Sequence, residues 1–111
     1  MEIERNNDAG IDIFHIKGSF DTNTSIIVEE QFNAAIDDGG NKLIANFEHV
    51  DYVSSAGLRV LLASTKKLRG NGGDLHVCTL NQVAQEVFDI SGFSMILKVF
   101  STEEEARNAF S

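Results

Sequence analysis

Apolar positions along the chain follow two rhythms, one with the period of an α-helix and one with the alternation of a β-strand. Ile11, Ile13 and Ile16 lie in a stretch rich in β-branched residues that ends at Gly18. Together with residues 2–7 and the turn signal Asn7-Asp8-Ala9-Gly10, they predict an opening β-hairpin. Gly18-Ser19-Phe20-Asp21 is expected to leave the sheet. From Thr22 to Asp38, Val28, Phe32, Ala35 and Ile36 recur at helical spacing with Glu29 and Glu30 off that stripe, and Gly39-Gly40 stops the helix. Residues 42–48 predict a short buried strand with Leu43, Ala45 and Phe47 on one face. Leu58, Leu61, Leu62, Thr65 and Leu68 then fall at i, i+3, i+4, i+7 and i+10, while Arg59, Lys66, Lys67 and Arg69 point elsewhere. This is an amphipathic helix starting at Ser54 or Ser55 and ending at Gly70. Asn71-Gly72-Gly73 turns the chain into a strand, Leu75 to Cys78. Asn81 caps a third helix carrying Val83, Ala84, Val87 and Phe88, which Ser91-Gly92 ends. A last strand is expected from Ile96 to Phe100. Ser101 and Glu104 then form a capping-box pattern for a final helix through Ala106 and Phe110.

Strands alternating with helices from residue 42 onward imply right-handed βαβ units with parallel pairing. The hairpin adds an antiparallel element. The expected fold is therefore α/β: one domain over residues 1–111, a mixed, mostly parallel β-sheet with an N-terminal antiparallel hairpin and about four helices. A chain of 111 residues buries roughly two-thirds of its unfolded surface and needs no disulfide or metal to fold.

Charge narrows the partners. A formal charge of −8 argues against nucleic acid, whose phosphates demand clustered Lys and Arg. It either serves solubility alone or favours a partner with a basic face. No apolar run approaches the roughly 20 residues of a membrane span, and the N-terminus lacks the features of a signal peptide. No direct membrane insertion is expected. Cys78 is the only cysteine, which fits a reducing cytoplasm.

Standard catalytic motifs are absent from the sequence. His15 and His76 lie in expected strands and His49 just past one; all three read as strand-edge or partly buried residues. Cys78 reads as a small core residue, and Glu103-Glu104-Glu105 as carboxylates that complement a helix N-terminus. Phe93 and Met95, just past Gly92, read as core, with a contact surface as the alternative.

One site stands out, where Val53-Ser54-Ser55-Ala56-Gly57-Leu58 joins a buried strand region to the amphipathic helix. Two readings fit it. In the first, Ser54 is the N-cap and Ser55 simply occupies the first turn. In the second, a serine here is a phosphorylation switch: phosphate adds roughly −1.5 to −2 charge, which the helix start tolerates and a docked partner does not. With Ser55 at the first helical position, Arg59 lies one turn along and partly shields the phosphate. Gly57 is a poor helix former, so something packs against, or must approach, the backbone there.

Asp51-Tyr52-Val53-Ser54-Ser55-Ala56-Gly57-Leu58-Arg59-Val60-Leu61-Leu62 resembles the signature of bacterial anti-sigma factor antagonists and the wider STAS superfamily. Gly18-Ser19-Phe20-Asp21, Asn71-Gly72-Gly73-Asp74-Leu75 and Val87-Phe88-Asp89-Ile90-Ser91-Gly92-Phe93 resemble further segments of that family, so the likeness covers nearly the whole chain. The resemblance implies a STAS fold and a non-enzymatic cytoplasmic regulator without cofactor or metal. Unphosphorylated, such a protein binds an anti-sigma factor that is also a serine protein kinase. Phosphorylation with ATP releases it, and a metal-dependent serine phosphatase resets it. Aligned on Gly57-Leu58, the phosphorylated serine falls on Ser55; Ser54, which stands where the family commonly has Asp, is also a hydroxyl and is the second choice. Asp21, Ser54, Ser55, Gly57 and Arg59 make up the expected partner-binding surface. Asp21 equally suits an Asx-turn or helix cap. The alternative implied by the same family is a STAS scaffold or subunit of a transporter or signalling assembly, without phospho-switching.

Overall fold

The structure, a computed structural model, describes residues 2–110. Strand β1 (Glu2–Asp8) turns tightly into β2 (Ile11–Phe20). Asp8 pairs with Ile11, leaving only Ala9 and Gly10 in the turn, at φ 54° and 83°. Two consecutive left-handed residues match the twist of a two-residue hairpin. The rest of the chain alternates: α1 (Thr22–Asp37), β3 (Lys42–Val53), α2 (Ser55–Gly70), β4 (Asp74–Cys78), α3 (Gln82–Ser91), a 3₁₀ turn (Phe93–Met95), β5 (Lys98–Phe100) and α4 (Glu103–Asn108). The five strands lie in sequence order, with β1 antiparallel to β2 and every later pairing parallel. The mixed sheet with its N-terminal hairpin is thus as expected from the sequence.

Alternation along the strands builds two apolar layers. Phe14, Ile16, Leu43, Ala45, Phe47, Leu75 and Val77 pack with the buried stripes of α1, α2 and α3. Edge-to-face ring pairs run through this layer, Phe14–Phe32 at 4.9 Å, Phe20–Phe47 at 6.0 Å and Phe47–Phe88 at 6.4 Å, a geometry that aromatic quadrupoles favour. On the other face Ile13, Ile44, Cys78 and Ala106 form a smaller cluster under α4.

Several boundaries differ from the sequence expectation. Gly18-Ser19-Phe20 does not leave the sheet: Ser19 pairs with Tyr52 and Phe20 with Val53. It can do so because β3 continues past residue 48 to Val53, which puts His49 inside the strand. Between the pairs His15–Asn46 and Lys17–His49, and again between Gly18–Val50 and Ser19–Tyr52, β3 uses one residue more than β2. Such bulges break the apolar alternation that marks a strand. Leu62 is only half-buried, whereas Val60 is buried. Val83 is 59% exposed, because α3 buries only Ala84 and Phe88. The last strand begins at Lys98 rather than Ile96, since the 3₁₀ turn occupies the preceding residues. Met95 is 91% exposed rather than core, while Phe93 is half-buried against the main layer. The cap of α4 is Thr102, whose Oγ1 accepts from the Glu105 amide at 3.1 Å, not Ser101.

Candidate functional site

The starts of α1 and α2 lie side by side because the strands that feed them, β2 and β3, are parallel neighbours ending at the paired residues Phe20 and Val53. The Ser54 amide donates to the Phe20 carbonyl at 2.9 Å, which extends the strand pairing into the turn. Ser54 is extended (φ −88°, ψ 171°) and is the N-cap of α2. Its Oγ accepts from the Gly57 amide at 3.2 Å, and its carbonyl accepts from the Leu58 amide at 3.0 Å. One of the donors left over at a helix start is thereby satisfied.

Ser55 is the first residue of α2 and is exposed. Among the described residues its hydroxyl has no hydrogen-bond partner, unlike that of Ser54. Arg59, one turn along, is exposed. Gly57 is buried, and a Cβ there would meet both Cγ and the carbonyl oxygen of Phe20 at 3.0 Å. The close approach expected from a glycine in a first helical turn is therefore made by Phe20.

Asp21 caps α1. Its Oδ1 accepts from the amides of Asn23 and Thr24, each at 3.0 Å, and its own amide donates to Thr24 Oγ1 at 2.9 Å, a reciprocal capping box. The Thr24 amide, followed by the Thr24 hydroxyl and the Asn23 amide, holds the Asp21 carboxyl below the usual carboxylate range against a smaller opposing effect of burial. The helix-capping role is thus observed.

Sequence reasoning missed three exposed apolar side chains on the elements that bound this site: Ile26 and Ile27 on α1, and Tyr52, three residues before Ser55. The signal was present for the first two, since they stand off the buried stripe of their helix.

His15, His76 and Cys78 are engaged elsewhere, whereas His49 is exposed on β3. His15 Nε2 lies 2.8 Å from Glu103 Oε1, which also accepts from Asn46 Nδ2 at 3.1 Å. His76 is buried, with Nδ1 2.8 Å from the Ala106 carbonyl and its ring stacked at 3.7 Å on Phe110. Burial pushes its pKa down, opposed by the Ala106 hydrogen bond. Burial also pushes the Cys78 thiol up to about 11, leaving it protonated and unreactive at neutral pH. Among the described residues no group of three or more His, Cys, Asp or Glu could hold a metal ion, and no helix is long and apolar enough to cross a membrane.

The cap side chains of Asp21 and Ser54 and the exposed Ser55 hydroxyl thus stand at two adjacent helix starts. The sequence model of the STAS domain matches residues 2–106, and the chain belongs to that family. Bordetella bronchiseptica BtrV, named as a candidate anti-sigma factor antagonist, is 41% identical over 83 residues, covering 75% of this chain and 72% of its own. The anti-sigma F factor antagonist of Paenibacillus polymyxa is 27% identical over 107 residues, covering 96% and 92%. Among solved structures, unphosphorylated SpoIIAA superposes with a TM-score of 0.85 at 21% identity over 98% of this chain and 96% of its own. The phosphorylated form from Bacillus gives 0.77 at 20% identity over 99% and 100%. These two share the fold.

Proposed function

We propose that this chain is an anti-sigma factor antagonist acting in the cytoplasm as one STAS module, with Ser55 as its phosphorylation switch. Unphosphorylated, it binds an anti-sigma factor that is also a serine kinase. That kinase moves the γ-phosphoryl group of ATP onto Ser55 Oγ, the hydroxyl proton is lost and ADP departs. The added charge releases the complex, and a serine phosphatase hydrolyses the ester to reset the chain. The partner surface comprises Asp21, Ser54, Ser55, Gly57 and Arg59, extended by Ile26, Ile27 and Tyr52.

The observation that carries this reading is the division of labour between adjacent serines. The Ser54 hydroxyl is engaged in the cap, whereas the Ser55 hydroxyl is exposed and, among the described residues, free at the helix start. A phosphate on Ser55 would meet the unpaired amides of the first turn with little cost to the fold. The names of the sequence relatives support the partner class.

The test is intact-mass analysis after incubation with ATP and a kinase-type anti-sigma factor. A gain of one phosphate is expected for the wild type and for Ser54→Ala, and none for Ser55→Ala. Ser55→Asp should lose the complex while its thermal unfolding stays near wild type. Full binding by Ser55→Asp, with no phosphate taken up by the wild type, would favour a constitutive STAS scaffold instead.

A further inference from the structure

The net charge of −8 conceals a sharp segregation. Of the nine Lys and Arg residues in the chain, Arg59, Lys66, Lys67 and Arg69 all lie on α2, which has no carboxylate. Helix α1, packed beside it, carries Glu29, Glu30 and Asp37 and no cation. Arg69 is committed to the fold: its Nε donates to Asp74 Oδ1 at 3.0 Å and its Nη2 to the Ile96 carbonyl at 2.8 Å. The other three are not neutralised by an ion pair among the described residues. Arg59 and Lys66 are exposed and form no ion pair among the described residues. Among the described residues Lys67 Nζ donates only to the neutral Asn33 side chain, at 2.9 Å.

Helical geometry aligns these charges with the switch. Ser55, Arg59 and Lys66 stand at i, i+4 and i+11, so they share one outward stripe, with exposed Ala63 between the two cations. Arg59 is about 6 Å along the axis from Ser55, and Lys66 about 16 Å. In a chain so rich in Asp and Glu, a solvated helix face left wholly cationic is the exception, and it begins at the candidate phosphorylation site.

We infer that the Ser55–Arg59–Lys66 stripe of α2 docks against an acidic face of the anti-sigma partner, and that phosphate on Ser55 acts by reversing the charge at the near end of that stripe. The inference rests on the proposed function and names the chemistry of its partner surface. An acidic partner face is repelled by most of this molecule and attracted most strongly along α2, where Arg59, Lys66 and Lys67 cluster, which orients the encounter. A phosphate of roughly −1.5 to −2 charge lies within the Debye length of about 8 Å from Arg59 and beyond it from Lys66. It therefore cancels the first cation and confronts the partner's carboxylates directly, while Lys66 and Lys67 keep their field. The chain's overall acidity then serves to reject wrong orientations rather than to seek a basic partner.

The experiment measures association and dissociation with an anti-sigma factor that binds the wild-type chain, at about 0.05 M and about 0.5 M salt. Arg59→Glu and Lys66→Glu should weaken binding about tenfold at low salt, chiefly in the association rate, and much less at high salt. Lys66→Arg should bind like wild type, and all three should keep the wild-type unfolding midpoint. Wild-type affinity in both Glu variants, with Ser55→Asp still abolishing the complex, would overturn the inference and leave the proposed function standing. Undiminished binding by Ser55→Asp as well would overturn both. A loss that is equal at the two salts would overturn the charge argument. So would vesicles of anionic phospholipid that bind wild type but not Lys66→Glu, if the anti-sigma factor does not distinguish the two.

Discussion

Gly57 sits against Phe20 so closely that a single added methyl group would come within 3.0 Å of both the ring and the carbonyl oxygen of that residue. Neither can give way easily. The ring is fully buried and packed edge-to-face on Phe47, and the carbonyl accepts the Ser54 amide. The start of α2 is thus pressed onto the end of β2, and the two helix starts of the site are held as one unit.

Gly57→Ala therefore sets two effects against each other. Alanine gains about 1 kcal/mol of helix propensity, whereas overpacking a rigid site costs about 1–3 kcal/mol. The steric term should win, giving a net loss of about 1 kcal/mol in urea unfolding. A stability gain would mean that Phe20 yields and that the close approach is not what fixes glycine here.

The adjacent serines should separate cleanly by stability. Ser54→Ala removes the oxygen that accepts the Gly57 amide and should cost about 1 kcal/mol, the usual worth of an N-cap. Ser55→Ala removes an exposed hydroxyl with no partner among the described residues and should stay within about 0.5 kcal/mol of wild type. Equal losses in chemical denaturation would show that the Ser55 hydroxyl also supports the fold.

How far the sequence foretold this arrangement depends on what each signal encodes. The stripe of α1 and the α2 stripe through Leu61 and Leu68 were legible because burial there follows helical period. The Ser54 cap was one of two possibilities, and Gly57 pointed to a close neighbour without naming Phe20, which lies far away in sequence. The true length of β3 was hidden because its bulges disturb the alternation. Met95 reads as core from its sequence and yet is exposed, because apolarity does not distinguish core from rim. The cap of α4 slipped by one residue because Ser101 and Thr102 each have a glutamate three positions on; only the backbone chooses. The grouping of Arg59, Lys66 and Lys67 was visible as residues off the stripe. Their lack of counter-charges could emerge only once all elements were placed.

His76 should make stability fall on acidification. Desolvation lowers its folded pKa below the ordinary value of 6.5, opposed by the Ala106 hydrogen bond and Asp74, and reinforced by Lys98 and Arg69. Between the folded and unfolded pKa values the unfolded chain binds more protons, so stability rises with pH and levels off above about 6.5. Acid then works against the packing of the imidazole under α4, where Phe110 and Phe100 flank the ring. Urea unfolding between about pH 5 and 8, where most carboxylates stay ionised, should show wild type losing more stability at the acid end than His76→Gln. Parallel profiles for the two proteins would remove His76 as the cause.

Asp21 carries two roles that a pair of substitutions can divide. Its Oδ1 holds the amides of Asn23 and Thr24, and an asparagine oxygen can do the same, since Asn and Asp cap helices about equally well. Asp21→Asn should keep the wild-type unfolding midpoint, whereas Asp21→Ala should lower it. The carboxyl is held below its usual range, chiefly by the Thr24 amide, so Asp21 is ionised at neutral pH and presents a negative charge beside the cationic face of α2. A partner that meets both must offer positive charge to α1 and negative charge to α2, an alternation that fixes its register. Asp21→Asn is then expected to weaken the anti-sigma complex with no loss of fold, a deficit that shrinks as salt is raised. Wild-type affinity in Asp21→Asn, together with lost affinity in Asp21→Ala, would instead assign Asp21 wholly to the cap, with the partner sensing only the shape of the α1 start.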